Sequence, residues 1–291
     1  MFVRKIQHLF LFFFILIPQL LQAQIQVIDD DQQKVILTKK ALRIISLSPS
    51  ITEMLFVAGA GKQIIGVVTY SDFPAQAKNI TSIGSYNSLD LEKIINLKPD
   101  LIIAWKNGNP HKQVKKLKLL GYPVFLSEPQ NFKAIASNIR RYGILSGNIK
   151  QSQQQSMLFL KGINKLKQQY QHKSKISVFI QIWNKPIMTV GAQHIISQVI
   201  QLCGGKNIFD SSEITLTPDI ESIIQHKPEL ILSTGMANIA TKWLKRWEKW
   251  TMIPAVKNNH LYSTNPDLLV RHSPRLLQGA ENVCQLLDKA R

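Results

Sequence analysis

Short, dense apolar runs alternate with stretches of helical periodicity along most of this chain, and the alternation predicts its elements. Ile25–Ile28 and Lys34–Leu37 alternate apolar and polar residues around Asp29-Asp30-Asp31-Gln32, the pattern of a β-hairpin closed by an Asp-rich turn. Arg43–Leu47 reads as a buried strand. Ser48-Pro49-Ser50-Ile51-Thr52-Glu53 then supplies a capping serine and a Ser-x-x-Glu box ahead of the apolar Met54–Ala58, so strand, tight turn and helix follow in order. Further strands are expected at Ile64–Thr69, Leu101–Trp105 and Pro123–Leu126, with a helix at His111–Leu120 stopped by Gly121. Strands alternating with helices make a parallel α/β sheet.

Between Asn131 and Tyr170 the pattern changes. Polar residues dominate, glutamines crowd residues 151–155, and Met157, Leu158, Leu160, Ile163 and Leu166 recur at helical spacing with no proline between them. This predicts helical structure ending in one long helix, a stiff strut rather than a floppy linker. Strand character resumes at Lys175–Gln181, a helix at His194–Leu202 is stopped by Gly204-Gly205, and the chain ends on a helix from Pro274 to about Ala290.

One pattern occurs twice. Leu91-Glu92-Lys93-Ile94-Ile95-Asn96, Lys98-Pro99-Asp100 and Leu101-Ile102-Ile103 return as Ile220-Glu221-Ser222-Ile223-Ile224-Gln225, Lys227-Pro228-Glu229 and Leu230-Ile231-Leu232. Each copy is a short amphipathic helix with a glutamate in its first turn, a Lys-Pro break, an acidic residue and a buried strand. The reading is two similar α/β lobes, residues 24–130 and 174–291, joined by a helical segment at 131–173 with a cleft between them.

Residues 1–23 stand apart. Arg4 and Lys5 precede an apolar run from Leu9 to Ile17, then Pro18 and a short stretch ending Leu21-Gln22-Ala23, the layout of a cleavable secretory signal peptide. The run falls short of the ~20 apolar residues that span a bilayer, and no cysteine follows it to carry a lipid anchor. In an exported chain the two cysteines, Cys203 and Cys284, are expected to pair as a disulfide, with two separate buried thiols as the alternative. The formal charge of +18, or +16 without Arg4 and Lys5, lies on scattered lysines with no arginine-rich arm, so no nucleic-acid partner is expected.

Catalytic motifs do not assemble. Gly59-Ala60-Gly61-Lys62 has the look of a phosphate loop, but Phe56 stands where its first glycine belongs and Gln63 where Ser or Thr belongs. There is no Gly-x-Ser-x-Gly or His-Glu-x-x-His. His111, His172, His194, His226, His260 and His272 lack the spacing of a metal site. Neither an enzyme, nor a metal centre, nor a cofactor is expected.

Four stretches together carry a family resemblance: Ile44–Glu53, Thr69-Tyr70-Ser71-Asp72-Phe73-Pro74, the first repeat copy through Ala104-Trp105, and Cys203-Gly204-Gly205-Lys206-Asn207-Ile208-Phe209. From about residue 42 to the C-terminus the chain resembles the periplasmic cobalamin (vitamin B12)-binding proteins of Gram-negative ABC importers. Lys-Pro-Asp-Leu-Ile is shared with the wider set of haem, siderophore and cobalamin binders, whereas the Tyr-Ser-Asp-Phe-Pro and Ala-Trp pieces point to the cobalamin branch. The resemblance implies two Rossmann-like lobes joined by a long rigid helix, with the ligand in the cleft between them. It implies a periplasmic carrier, expected as a monomer, that delivers cobalamin to a permease and ATPase complex at the inner membrane. It pairs Cys203 with Cys284, and it makes Glu92 and Glu221 docking points for permease arginines. The helix dipole alone favours a first-turn glutamate by ~0.3–1 kcal/mol, which accounts for one of them better than for both.

Cobalamin is a large, partly apolar ring fringed with amides, so its site needs flat aromatic surface, a few hydrogen-bonding groups and little net charge. Ligands of open α/β sheets sit beyond the carboxyl ends of the strands, the side to which Tyr70 and Trp105 belong. Tyr86 matches a loop position that is typically Trp in the family, and Ser48-Pro49-Ser50 offers backbone N–H groups at a helix start. In the second lobe Asp267 and Arg271 match polar family contacts, the alternative being an exposed i,i+4 ion pair of little worth. Trp183 falls just past a strand, either on the cleft or in the core. Against the family pattern, Thr215 and Leu268 replace tryptophans and Met188 replaces an aromatic, which leaves the second wall less aromatic. Haem or an iron–siderophore chelate is the alternative cargo. Haem needs an axial ligand, for which Tyr70, Tyr86 and His272 are the candidates.

Overall fold

The structure, a computed structural model, describes residues 24–235 and 237–291; the expected signal peptide, residues 1–23, lies outside the described residues. The chain opens with the expected hairpin, β1 (Ile25–Ile28) and β2 (Lys34–Leu37). Its turn is held by the Asp29 carboxylate, which accepts from the N–H groups of Asp31 and Gln33 at 2.8 Å each. Then come β3 (Ile44–Ser46), α1 (Pro49–Val57), β4 (Ile64–Val67), a two-residue hairpin of β5 (Gly84–Ser85) and β6 (Ser88–Leu89), α2 (Leu91–Asn96), β7 (Leu101–Trp105), α3 (His111–Leu119) and β8 (Val124–Ser127). The longer strands form a parallel sheet in the order β4-β3-β7-β8. Leu101, Ile102, Ile103 and Ala104 of β7 are fully buried, as befits a strand covered on both faces.

The connecting segment resolves into two helices, α4 (Phe132–Ser146) and α5 (Ile149–Tyr170). Gly147, in the left-handed region at φ 78°, ends the first. The two pack closely because position 143 has no side chain: a Cβ there would lie 1.8 Å from the Ser152 hydroxyl. α4 packs on α1 and β1, so it belongs to the first sheet's cover, and only α5, ~33 Å long, runs on to the second half.

The second half comprises β9 (Ile176–Gln181), β10 (Trp183–Asn184), β11 (Ile187–Val190), α6 (Ile195–Leu202), β12 (Gly205–Asn207), β13 (Thr215–Leu216), α7 (Ile220–Gln225), β14 (Leu230–Ser233), α8 (Ala237–Lys245), α9 (Pro254–Lys257), β15 (Leu261–Ser263), α10 (Pro266–Leu269) and α11 (Leu276–Lys289). Its parallel sheet runs β12-β9-β14-β15, so each sheet places its strands in the order second, first, third, fourth. β15 and the small antiparallel sheet β10-β11-β13 carry no clear period and are not legible in the sequence.

The sequence repeat is a repeat of hydrogen bonds. Asp90 caps α2 by accepting from Lys93 N–H at 2.9 Å, and Asp219 caps α7 by accepting from Ser222 N–H at 2.7 Å. Both helices stop on a lysine in the left-handed region, Lys98 and Lys227, each at φ 46°, because the proline that follows bars the right-handed helical conformation. The acidic residue after each proline then ties the motif to the neighbouring strand. Asp100 accepts from the N–H groups of Leu42 and Arg43 at 2.9 Å each, and Glu229 from Ser177 N–H at 2.7 Å.

One apolar cluster runs without a break from Val27 and Phe125 through Ile139, Phe159 and Ile163 to Val199, Leu230 and Leu287. The helical connection is therefore part of a shared core. The Cys203–Cys284 disulfide is present, with Cα atoms 4.7 Å apart, and clamps the end of α6 to α11. Closing a loop with a sequence separation of 81 stabilises by ~4 kcal/mol in the chain-entropy picture. Among the described residues no helix is long and apolar enough to cross a membrane.

Candidate ligand cleft

On the first lobe the candidates gather at the carboxyl edge of the sheet. Pro49 opens α1, which makes Ser48 the N-cap and moves Glu53 into the second turn, too far along to reach back. The expected capping box does not form. Ser48 makes no side-chain cap and its hydroxyl bonds that of Ser50 at 2.8 Å. Tyr70, three residues past β4, is 73% exposed and sits at φ 65°, where a bulky side chain is uncommon. The loop around it is held from beneath: Thr69 N–H donates to Gly84 O at 2.9 Å, and Thr52 Oγ1 bonds both Ser71 Oγ at 3.3 Å and Ser46 Oγ at 2.8 Å.

Tyr86 and Trp105 meet, with ring centroids 5.7 Å apart and planes tilted by 46°. Their backbones are pinned by a residue that sequence reasoning passed over. Buried Asn109 accepts from Trp105 N–H at 2.6 Å and donates to Leu47 O at 2.9 Å and Tyr86 O at 2.7 Å. One side chain therefore joins the loops after β3, β5 and β7. In the sequence it is only part of Asn107-Gly108-Asn109-Pro110, a turn signature. Gly108 completes the arrangement, since a Cβ there would lie 1.9 Å from the indole of Trp105. Asn109→Ala is expected to cost about 3 kcal/mol, because buried backbone groups lose their partner. Urea denaturation checks this, and a loss under about 1 kcal/mol would contradict the pinning role.

Glu128, at the end of β8, was also missed. Burial raises its pKa, opposed by the Asn107 N–H and the Trp105 side chain that bond it.

On the second lobe Trp183 is 56% exposed, not a core residue. Its Nε1–H donates to Lys185 O at 3.2 Å, and its ring meets Trp243 edge to face at 6.1 Å. Met188 is its cross-strand partner in β11, and Thr215 pairs with Val190 in the same small sheet. Two of the three positions that lack their family aromatics therefore share a sheet with Trp183, the third, Leu268, lying in α10, and Trp243, unmarked in the sequence, supplies an aromatic neighbour.

Asp267 and Arg271 do form an i,i+4 pair, at 3.1 Å, but not an exposed one. Arg271 is largely buried and reaches the first lobe, where Nη1 lies 3.0 Å from Glu53 Oε1 and 2.9 Å from Asp72 Oδ1. The stretch after α10 crosses to the other lobe, which a helical spacing rule does not anticipate. Burial pushes Asp72 up, but the hydrogen bond and charge of Arg271 outweigh it and hold the carboxyl below its usual range. Beside them His194 and His272 stack edge to face at 5.8 Å, and His272 Nδ1 lies 2.8 Å from Pro129 O. Burial, then the His272 charge, brings His194 down to about 4, and burial lowers His272 as well.

Glu92 and Glu221 occupy the second position of α2 and α7, both exposed, each beside its capping aspartate.

Residues 44–268 match the family described as periplasmic binding protein. The chain belongs to the periplasmic binding protein family. It is 36% identical over 255 residues to the vitamin B12-binding protein of Vibrio campbellii, covering 86% of this chain and 91% of that one. With the vitamin B12-binding protein of Vibrio cholerae it shares 37% identity over 252 residues, 86% and 90% of the two chains. The crystal structure of a periplasmic vitamin B12 binding protein of Vibrio cholerae superposes with a TM-score of 0.79 at 36% identity, covering 86% of this chain and 98% of that one. The periplasmic heme binding protein of Vibrio cholerae, with a TM-score of 0.76 at 21% identity over 84% and 98% of the chains, shares the fold. This periplasmic binding protein thus shares its α/β architecture with these relatives.

Proposed function

We propose that this periplasmic binding protein captures cobalamin, one molecule per chain, between lobes 24–130 and 174–291, and hands it to the permease and ATPase complex of an ABC importer. The observation that carries the reading is the aromatic platform of Tyr70, Tyr86 and Trp105. Three partly exposed rings stand on loops fastened by buried polar bonds, and apolar rings left in water are what a large, flat, amide-fringed ligand would cover. Identity of 36% to proteins named for vitamin B12 binding supports the same cargo. The reading also assigns to the ligand Ser48, Pro49 and Ser50 at the start of α1, and Trp183, Asp267 and Arg271 on the second lobe; the bond of Arg271 to Asp72, two residues from Tyr70, supports the last of these. The protein acts by binding, without catalysis or a resident cofactor, as a monomer exported by residues 1–23 and cleaved after Ala23. Glu92 and Glu221 are its docking points on the permease.

Titration calorimetry with cyanocobalamin tests the cargo, with haem as the comparison. Saturable heat at one site and a raised melting temperature are expected with cyanocobalamin. Silence with cyanocobalamin and a shifted Soret band with haem would overturn the reading.

A further inference from the structure

Four of the five residues from Arg271 to Arg275 bond or stack onto the first lobe. Arg271 meets Glu53 and Asp72, His272 meets Pro129 O, Ser273 Oγ donates to Glu53 Oε2, and Arg275 reaches Glu53 Oε1 at 3.2 Å while its guanidinium lies 4.2 Å over the ring of Phe73. Glu53 is the centre of this set. It is 1% exposed, it sits in α1, and the three side chains that bond its two oxygens come from sequence positions 218 to 222 residues away, across the cleft.

A buried carboxylate is tolerated only where it is paired and hydrogen-bonded. Here every one of those pairings is made by the opposite lobe, so moving the lobes apart at this edge would strand the charge of Glu53 and that of Arg275 together. Arg271 is placed differently. Its Nη1 is shared between buried Glu53 and half-exposed Asp72, and its Nη2 is held by half-exposed Asp267. The inner bond is shielded from water, and the outer two stand at the solvent edge, where a ligand's acceptor atoms can replace them.

We propose that Glu53 and the segment Arg271–Arg275 form an ionic latch that sets the angle between the lobes, with Glu53 a positioning residue that presents Arg271 to amide or phosphate oxygens of the ligand. The ligand half of this rests on the cobalamin reading; the latch itself does not.

Spin labels at Lys115→Cys on α3 and Lys242→Cys on α8 report the interlobe distance by pulsed electron spin resonance, with the native disulfide intact. A narrow distribution is expected for the otherwise unaltered protein. Glu53→Gln keeps the volume but removes the charge and presents an amide donor to three donors, and it is expected to broaden or displace that distribution. Asp72→Asn, which leaves the Glu53 bonds in place, is expected to leave it narrow. Ser273→Ala and Arg275→Gln remove one donor each and should broaden it less, so the idea stays testable even if Glu53→Gln does not fold. A distribution unchanged in all the variants that touch Glu53 or its donors would overturn the latch. In calorimetry Glu53→Gln is expected to weaken cyanocobalamin binding about tenfold. Undiminished affinity would overturn the positioning role. Failure of the unaltered protein to bind cyanocobalamin would reject the cargo alone, because the distances decide the latch without ligand.

Discussion

Replacing Tyr70, Tyr86 and Trp105 together by alanine is expected to weaken cyanocobalamin binding about a thousandfold, ~4 kcal/mol, with a much smaller effect on folding. Each ring is at least a third exposed in the free protein, so the fold draws little of its stability from these faces. A bound ligand would bury them. At about 25 cal/mol per Å², covering some 50 Å² on each ring contributes ~1 kcal/mol apiece, and aromatic packing geometry adds ~0.5–1.5 kcal/mol where rings stack. Calorimetry on the triple variant is the check, with circular dichroism to confirm folding. Affinity within about threefold of the original, ~0.7 kcal/mol, would show that the platform is not the binding surface. Tyr86 and Trp105 touch, so their single substitutions should not add, and a double-mutant cycle should show coupling that Tyr70 lacks.

Glu92→Ala with Glu221→Ala is expected to abolish stimulation of the transporter while leaving cobalamin affinity and stability near their original values. Both glutamates are exposed, and the capping bonds belong to Asp90 and Asp219, which stay. What the fold loses is the helix-dipole contribution, ~0.3–1 kcal/mol at each site. Transport measured with the permease and ATPase complex in vesicles separates the roles. Unaltered transport would remove the docking assignment, and lost ligand affinity would move the two residues into the binding site. With one docking point proposed on each lobe, either single substitution is expected to weaken docking without eliminating it.

Much of the architecture is legible before any coordinates. The two helices, Leu-x-x-Ile-Ile at Leu91 and Ile-x-x-Ile-Ile at Ile220, with their Lys-Pro breaks announce two like lobes, because a left-handed stop followed by proline and a buried strand is written in adjacent residues. The exposure of Tyr70 and Trp105 is legible through their place at strand ends, whereas Tyr86 is singled out by family resemblance alone. Asn109 and Glu128 are not, since an asparagine in a turn and a glutamate after a strand look ordinary until their partners are known. Glu53 is the instructive error. Counted from Ser50 it completes a capping box, yet Pro49 starts the helix two residues early and the carboxylate turns inward instead.

By itself the sequence determined the alternation of strands and helices in two like lobes and the strut, because periodicity and turn chemistry report local burial over a few residues, while the cysteine pair followed from export and family resemblance. Only the tertiary structure decided that Arg271, besides its helical neighbour Asp267, joins Glu53, 218 residues away, and that Asn109 ties Leu47 to Trp105. The reason is physical. A charge or an amide forced out of water takes whichever partner the packed lobes bring within about 3 Å, and no local pattern records which that is.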